Sequence, residues 1–268
     1  MQVIGLCRFS YPAIGGFQVG HDTVADRQAY LWAPDRLEER FRLFETMALP
    51  CLRAQTDGDF DLILQIGEDF PKQHRDRLHD LTADIPQIEI IAMPPMPSRK
   101  ASKMLLNAAR RDPDAPCIQC RHDDDDACAG EFIARMRQAV TDTAPLVAKH
   151  AAIGFDWNKG YVAELGPSGI SATKTYRAFY VSALGVHIAG GSDTTIHNFM
   201  HARIPRFMPC VTFPDADMFV RSHNGYNDSR QKQVRPVAVA PLTPDQEQIF
   251  RTRFAIDADA VRRTFSGA

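Results

Sequence analysis

Short apolar runs alternate with amphipathic segments along the first half of the chain. Apolar residues run from Val3 to Cys7, from Phe60 to Ile66 and through QIEIIAM, and each run has the length of a buried strand. Between the first two runs, DRLEERFRLFETMALPCLRAQ carries apolar residues three or four positions apart. This spacing predicts a helix that Pro50 bends or breaks.

The same alternation continues after the third run. PKQHRDRLHDLTA and the stretch from Ser102 to Arg111 read as helices, Cys117 to Arg121 as a fourth strand, and Glu131 to Val140 as a further helix. Strands that alternate with helices are typical of a parallel sheet with helices packed on it. The pattern therefore predicts an α/β fold with a mainly parallel, Rossmann-like sheet flanked by helices.

The second half has less helical periodicity and more aromatic, Thr and Gly residues. GFDWNKGYVAELGPSGISATKTYRAFYVSAL favours antiparallel strands and loops, and RFMPCVTF favours one more strand. SDTTIHNFMHARI predicts a short helix capped by Ser192 or Asp193, and PDQEQIFRTRF and DADAVRRTF predict two terminal helices. No Gly/Ser linker interrupts the chain, so we expect a single domain over residues 1–268 with a mixed C-terminal half.

Composition and charge narrow the classes of function. The 31 basic and 33 acidic residues leave a net charge of −2, which lacks the basic footprint of a nucleic-acid-binding protein. The start MQVIGLCRF has no basic leader region, and no apolar run reaches the length of a membrane span. We expect a cytoplasmic protein whose six dispersed cysteines stay reduced, and contact with a membrane surface is left open.

Four consecutive carboxylates, Asp123 to Asp126, directly follow the fourth strand. Open α/β sheets bind ligands at the carboxyl ends of their strands, and Mg²⁺ or Mn²⁺ prefers such hard oxygen ligands. The alternative is a polar turn whose acids complement the dipole of the next helix. The position at a strand end favours a metal site, in which Asp124, on the other side of an extended backbone, matters least.

Cys117, Cys120, His122 and Cys128 resemble the ligand spacing of a zinc site. Alternation along a strand sends residues i and i+3 to opposite faces, so we interpret these cysteines as core thiols.

The order of features resembles the metal-dependent glycosyltransferases of the GT-A fold. More closely, RFRLFETMALPCLRAQTDGDFDLIL, RHDDDDA and FVRSHNGYN are similar to the bacterial rhamnosyltransferase family. That family has a Leu where this chain has His122, and a Trp about where Met218 or Phe219 stands.

The resemblance implies a role for each half of the chain and for several residues. Residues 1–126 would bind a nucleotide sugar, and residues 127–268 would bind the acceptor. Asp123 and Asp125 would form the DxD pair that binds Mn²⁺ or Mg²⁺, with Asp126 and the late His223 as further ligands. The implied donor-binding residues are Arg8, Arg99, Lys103, Arg121 and Asn227.

An inverting transfer also needs a base to take the proton of the acceptor hydroxyl. Asp193 is the candidate, because relatives of this fold often place an acid before the helix that precedes the late histidine. A role as helix cap is the alternative for Asp193, and Asp217 and Glu164 stay open as other bases.

We therefore expect a divalent-cation-dependent glycosyltransferase of the hexosyltransferase type. The resemblance implies transfer of a sugar, with rhamnose suggested by the family label alone, from a nucleotide-sugar donor to a saccharide or glycolipid acceptor. Two alternatives are a metal-dependent phosphohydrolase and a non-catalytic protein that binds metal or carbohydrate. The phosphohydrolases normally carry their nucleophilic aspartate on the first strand, whereas this cluster follows the fourth.

Overall fold

The structure is a computed structural model that describes residues 1–15, 20–224 and 237–267. The strands are β1 Gln2–Arg8, β2 Asp61–Gly67, β3 Ile88–Met93, β4 Cys117–Asp123, β5 Asp126–Cys128, β6 Ala152–Gly166, β7 Gly169–Tyr176, β8 Leu184–Ile188, β9 Cys210–Ser222 and β10 Ala240–Pro241. The helices are α1 Val24–Leu31, α2 Pro34–Leu43, α3 Leu49–Arg53, α4 Lys72–Thr82, α5 Ser98–Ala108, α6 Phe132–Asp142, α7 Ala144–Val147, α8 Pro244–Phe254 and α9 Ala258–Phe265.

The first four strands form the parallel half of one large sheet. The order along the sheet is β10-β7-β6-β8-β4-β1-β2-β3, and β1 runs parallel to both β4 and β2. Each of these strands is joined to the next by helical segments, which is why the strands share one direction. The predicted α/β sheet flanked by helices is confirmed, and β1 to β4 end at one edge, called here the carboxyl edge.

The second half continues the sheet with mostly antiparallel strands, as the sequence predicts. β8 pairs antiparallel with β4, and β6 pairs antiparallel with both β8 and β7. β9 runs parallel to β6 and also pairs antiparallel with the short β5. Through β5 and β9, the late part of the chain reaches the segment that follows β4.

The segment around Pro50 forms a continuous helical path rather than a broken helix. Residues Phe44–Ala48 adopt a π-helical turn between α2 and α3, and Pro50 falls in the first turn of α3. The preceding π-helical turn, in which the Leu49 N–H donates to Phe44 O, accommodates a proline that has no N–H of its own to donate. The sequence interpretation also missed α1 and placed the start of α5 one turn late.

The predicted helix with a cap at Ser192 or Asp193 is wrong. Two short 3₁₀ turns, Ile196–Asn198 and His201–Arg206, occupy this stretch. Thr195 caps the first turn, and its side chain and backbone N–H both bond to the Asn198 side chain. This reciprocal arrangement satisfies the end of the turn, so the two residues before it are not needed as caps.

Two hydrophobic cores lie on the two faces of the sheet. Cys120 belongs to one core and Cys117 to the other, as alternation along β4 predicts. All six cysteines are free thiols, in agreement with the interpretation of Cys117 and Cys120 as core residues. No helix in the described ranges is long and apolar enough to cross a bilayer.

Candidate functional site

The four aspartates lie at the carboxyl edge, where the chain passes from β4 into β5. Asp123 is the last residue of β4, Asp124 and Asp125 form a turn, and Asp126 begins β5. One carboxylate oxygen from each of Asp123, Asp125 and Asp126 lies within 4.8 Å of the other two. The turn therefore gathers three of the four carboxylates around one point.

The side chains of the turn are held by Arg40, a buried residue of α2. Arg40 donates from Nε to Asp124 Oδ2 at 3.0 Å and from Nη1 to Asp125 Oδ2 at 2.9 Å, and its third nitrogen, Nη2, pairs with Asp124 Oδ1. Asp124 is only 1% exposed. The expectation of an extended backbone at Asp124 is wrong because the chain turns there, and the carboxylate is directed to Arg40.

Asp126 is enclosed by donors from two other segments of the chain. Ser182 donates its hydroxyl to Asp126 Oδ2 at 2.7 Å, the Ser222 backbone N–H donates to Oδ1 at 3.0 Å, and Arg221 lies 3.4 Å from Oδ2. Burial raises the pKa of Asp126 to about 7, against the opposing charge of Arg221. This carboxylate is therefore close to gaining a proton at neutral pH.

Asp125 also receives a hydrogen bond from the region after β9. Asn224 donates to Asp125 Oδ2 at 3.1 Å. Burial acts to raise the pKa of Asp125, but the charges of Arg40 and Arg221 lower it below its usual range. Asp125 is thus kept ionised in a buried position, as a cation ligand requires.

The donor set fits a divalent cation. Mg²⁺ binds oxygen ligands at about 2.1 Å, so two oxygens on opposite sides of one ion are separated by roughly 4 Å. Asp123, Asp125 and Asp126 each offer one oxygen within 4.8 Å of the other two, so a small movement of these side chains would bring all three oxygens onto one ion. Asp123 is partly exposed and accepts no hydrogen bond from another residue in the described ranges, so the site opens to ligands on its side.

His223 directly follows Ser222, whose backbone N–H donates to Asp126, but the His223 side chain lies against Glu164. Its backbone N–H donates to Ala163 O, and its Nδ1 lies 3.6 Å from Glu164 Oε1. Within the described ranges, the group of mutually close ligand atoms consists of the three aspartates. The structure therefore places Asn224, and not His223, against Asp125, and a metal-binding role of His223 stays a prediction.

Basic residues surround the open side of the cluster. Arg8 ends β1 and is the register partner of Asp123, and its guanidinium donates to Ser98 Oγ at the start of α5. Arg121 donates to the backbone carbonyls of Ile196 and Phe199, while its buried Nε has no hydrogen-bond partner in the described part of the chain. The positive charges therefore lie beside the aspartates at the same edge.

The electrostatics of this basic group show how closely it is packed. Burial, together with the charge of Arg8, lowers the pKa of Arg121 to about 10, and Arg99 acts in the same direction. Burial also lowers the pKa of His197 well below its usual range, reinforced by Arg121 and Arg8. Closely packed cations that are partly shielded from water would gain from an added anion.

Asp193 lies away from the carboxyl edge. Ile188, the last residue of β8, pairs with Cys117 at the start of β4, and the following Gly191 bonds to Pro113 O before β4. The Asp193 carboxylate is 79% exposed and pairs with Lys103 Nζ at 2.6 Å, and this hydrogen bond lowers its pKa. The structure does not bring Asp193 or Lys103 to the aspartates, and Asn227 lies outside the described residues.

Sequence reasoning missed the residues that hold the cluster: Arg40, Ser182, Arg221 and Asn224. One of them carried a signal in the sequence. Arg40 precedes Phe41 within the apolar stripe of α2, and both are buried. A charged residue on the buried face of a helix needs a partner of opposite charge, and the acidic cluster supplies it.

An open α/β sheet with clustered carboxylates and adjacent arginines at the carboxyl ends of its strands has the architecture of a ligand-binding α/β protein. The chain belongs to the rhamnosyl transferase family. The family model described as "Putative rhamnosyl transferase" matches residues 2–236, and this confirms the resemblance inferred from the sequence.

Solved structures that align with this chain include TarS of S. aureus. The TarS 1–349 structure in complex with UDP is 11% identical, with a TM-score of 0.42, and the alignment covers 83% of this chain and 61% of that one. A second structure of TarS 1–349 is 10% identical, with a TM-score of 0.41, and the alignment covers 60% of that chain. This chain thus spans about 60% of those chains. No curated protein matches it.

Proposed function

We propose that this protein is a divalent-cation-dependent glycosyltransferase that uses a nucleotide-sugar donor. The observation that carries the proposal is the group formed by Asp123, Asp125 and Asp126 beside Arg8 and Arg121 at the carboxyl edge. The leaving group of such a donor is a nucleoside diphosphate, which gains negative charge as it departs. A cation site and positive side chains next to each other would stabilise that charge. Membership of the rhamnosyl transferase family supports the same reaction.

The side chains of the site have distinct tasks in this proposal. Asp123, Asp125 and Asp126 would hold Mn²⁺ or Mg²⁺, which when bound offsets negative charge on the departing diphosphate. Arg8 and Arg121 would contact the phosphate oxygens, since arginine donates to phosphate in a fixed planar geometry. Arg121 is fixed for this task by the carbonyls of Ile196 and Phe199.

The finer assignments are proposals of the same kind. The family description favours rhamnose as the transferred sugar, and the acceptor would be a saccharide or glycolipid, with contact at a membrane surface left open. His223, Arg99, Lys103 and Asn227 stay predicted ligands. The sequence predicts Asp193 as the base, but its position away from the carboxyl edge argues against that role. A cytoplasmic location stays a prediction.

Calorimetry with Mn²⁺ and a panel of nucleoside diphosphates that differ in their base tests the proposal directly. We expect Mn²⁺ to bind alone and to increase the affinity for at least one nucleoside diphosphate. Cation binding without any effect on nucleotide affinity would instead indicate a non-catalytic binding protein. Release of phosphate from simple monoesters, without turnover of any nucleotide sugar, would indicate a phosphohydrolase.

The variant Asp125→Asn tests the site assignment. It keeps the size of the side chain and its ability to bond to Arg40 and Asn224, but it removes the negative charge. We expect loss of Mn²⁺ binding and of donor hydrolysis in the presence of Mn²⁺. Asp215→Asn is the matched control, because Asp215 pairs with Arg135 on a more exposed part of β9. Activity of Asp125→Asn near the wild-type rate would show that the cation site is elsewhere.

A further inference from the structure

We propose that Arg40 is a positioning residue for the cation site, which fixes the carboxylates of Asp124 and Asp125 before a cation binds. The inference rests on the proposed function in one respect, since it takes the neighbouring aspartates as cation ligands. It assigns to Arg40 no contact with the cation or the donor.

The geometry of the Arg40 side chain supports this role. One guanidinium group bonds to two adjacent carboxylates, through both oxygens of Asp124 and through Oδ2 of Asp125. Arginine is suited to this task because its planar fork presents several N–H donors in fixed directions. One side chain from α2 therefore bonds to both carboxylates of the turn between β4 and β5.

Arg40 is itself firmly held. It is 5% exposed, and its helical neighbours Leu37 and Phe41 are completely buried. Phe41 packs on Phe9, which directly follows β1, with ring centroids 4.9 Å apart. The position of the guanidinium is thus fixed relative to the central strands, and this fixes the positions of the carboxylates bound to it.

The balance of charge at the site also points to Arg40. A bound cation would keep all four carboxylates ionised, with four negative charges, and Arg40 and Arg221 contribute two positive charges. Two negative charges then remain, which matches one divalent cation. A buried ion pair adds little to stability by itself because both groups lose their hydration. A role in arranging the site explains why such a pair lies here.

Removing Arg40 separates two physical effects that predict opposite results. If Arg40 acts only through its charge, its loss leaves a more negative site that binds a cation more tightly. If Arg40 positions the carboxylates, its loss weakens cation binding, and loss of such supporting contacts commonly lowers metal affinity by about 10- to 100-fold. The sign of the change in affinity therefore decides between them.

The test compares the full-length wild type with Arg40→Gln, Asp124→Asn and the double variant that carries both changes. Free Mn²⁺ is followed by electron paramagnetic resonance in titrations without nucleotide, and thermal unfolding of each metal-free protein is measured in parallel. Arg40→Gln leaves the buried Asp124 carboxylate without a positively charged partner and is expected to destabilise the fold. The double variant removes both charges of that pair, so it is expected to fold even where the single variant does not.

We expect the double variant to unfold near the wild-type temperature and still to bind Mn²⁺ about tenfold more weakly or worse, because nothing replaces the bond from Arg40 to Asp125. A role in stability alone would restore Mn²⁺ affinity together with folding. The exposed pair Arg111 and Asp61, 2.9 Å apart at the start of β2, provides the control double variant Arg111→Gln with Asp61→Asn. That control is expected to leave the Mn²⁺ affinity unchanged.

Two results would overturn the inference: a double variant with wild-type affinity, or an Arg40→Gln variant that binds Mn²⁺ more tightly than the wild type. Either result would leave the proposed function intact. A wild-type protein that binds no Mn²⁺ would overturn the proposed function and this inference together, so the two failures are distinguishable.

Discussion

Arg8 and Asp123 are register partners at the ends of the neighbouring parallel strands β1 and β4. Each is the last residue of its strand, so a positively charged and a negatively charged residue lie side by side at the carboxyl edge. Arg8 bonds to Ser98, and Asp123 accepts no hydrogen bond within the described ranges. This pair of neighbours offers a charge of each sign to a donor that carries both phosphate and a metal ion.

The first prediction concerns Arg8→Gln. We expect the affinity for a nucleoside diphosphate in the presence of Mn²⁺ to fall about tenfold, since a charge-assisted hydrogen bond contributes about 1.5 kcal/mol or more. The affinity for Mn²⁺ alone should not fall, because Arg8 contributes no ligand atom and the loss of its positive charge beside Asp123 favours a cation. Both affinities are measured by calorimetry.

Arg111→Gln is the control for Arg8→Gln. Arg111 is also exposed, but it pairs with Asp59 and Asp61 near the start of β2, away from the carboxyl edge. Equal losses of nucleotide affinity in the two variants would show that Arg8 acts only through the overall charge of the protein.

The second prediction concerns the base. Asp193 is exposed, pairs with Lys103 and lies toward the amino end of β4. We therefore expect Asp193→Asn to lower kcat by less than about threefold, whereas loss of a general base commonly costs about 100-fold or more. Steady-state transfer assays measure the difference. A loss of the larger size would establish Asp193 as the base and would require this segment to move toward the donor.

The third prediction concerns the dependence of stability on pH. Asp156 in β6 is completely buried, and its Oδ1 accepts a hydrogen bond from the Phe179 N–H at 2.6 Å. Burial raises the pKa of Asp156 to about 6, from an unfolded value of about 4. Between these values the folded state binds more protons than the unfolded state, so this carboxyl lowers the free energy of unfolding as the pH rises from about 4 to 6.

Asp156→Asn removes this titration. We expect the variant to be more stable than the wild type at pH 8, by up to about 3 kcal/mol for two units of pKa, and the gain to shrink toward pH 4. Urea unfolding at several pH values measures it. Asp80→Asn, on the exposed face of α4, is the control. A stability difference between Asp156→Asn and the wild type that does not change with pH would contradict the assignment.

The sequence reveals the parallel half of the fold and the acidic cluster because both depend on local patterns. Apolar runs and helical stripes mark β1 to β4, and Asp123 to Asp126 directly follow a strand. The side chains that hold the cluster are set by tertiary contacts instead. Arg40, Arg221 and Asn224 reach it from positions 84, 95 and 99 residues away along the chain. No periodicity encodes such distances.

The final prediction concerns Gly160 in β6, where β9 leaves no room for a side chain. A Cβ added there would lie 2.2 Å from Phe219 O and 2.7 Å from the Phe219 ring, beside an irregularity in the pairing of these strands. Gly160→Ala therefore forces the strands apart, and we expect it to lower the free energy of unfolding by about 1–3 kcal/mol. Phe219 also pairs with Cys128 in β5, the strand that begins with Asp126.

The displacement at Gly160 should therefore reach the carboxylates, and we expect Gly160→Ala to weaken Mn²⁺ binding as well as to lower the melting temperature. Gly166→Ala is the matched control, because Gly166 lies in the same strand and a Cβ there meets no atom within 4 Å. Thermal unfolding and Mn²⁺ titration of both variants make the comparison. If the two variants behave alike, the close approach of Phe219 does not set the spacing of β6 and β9. If only stability falls, β5 holds Asp126 in place independently of β9.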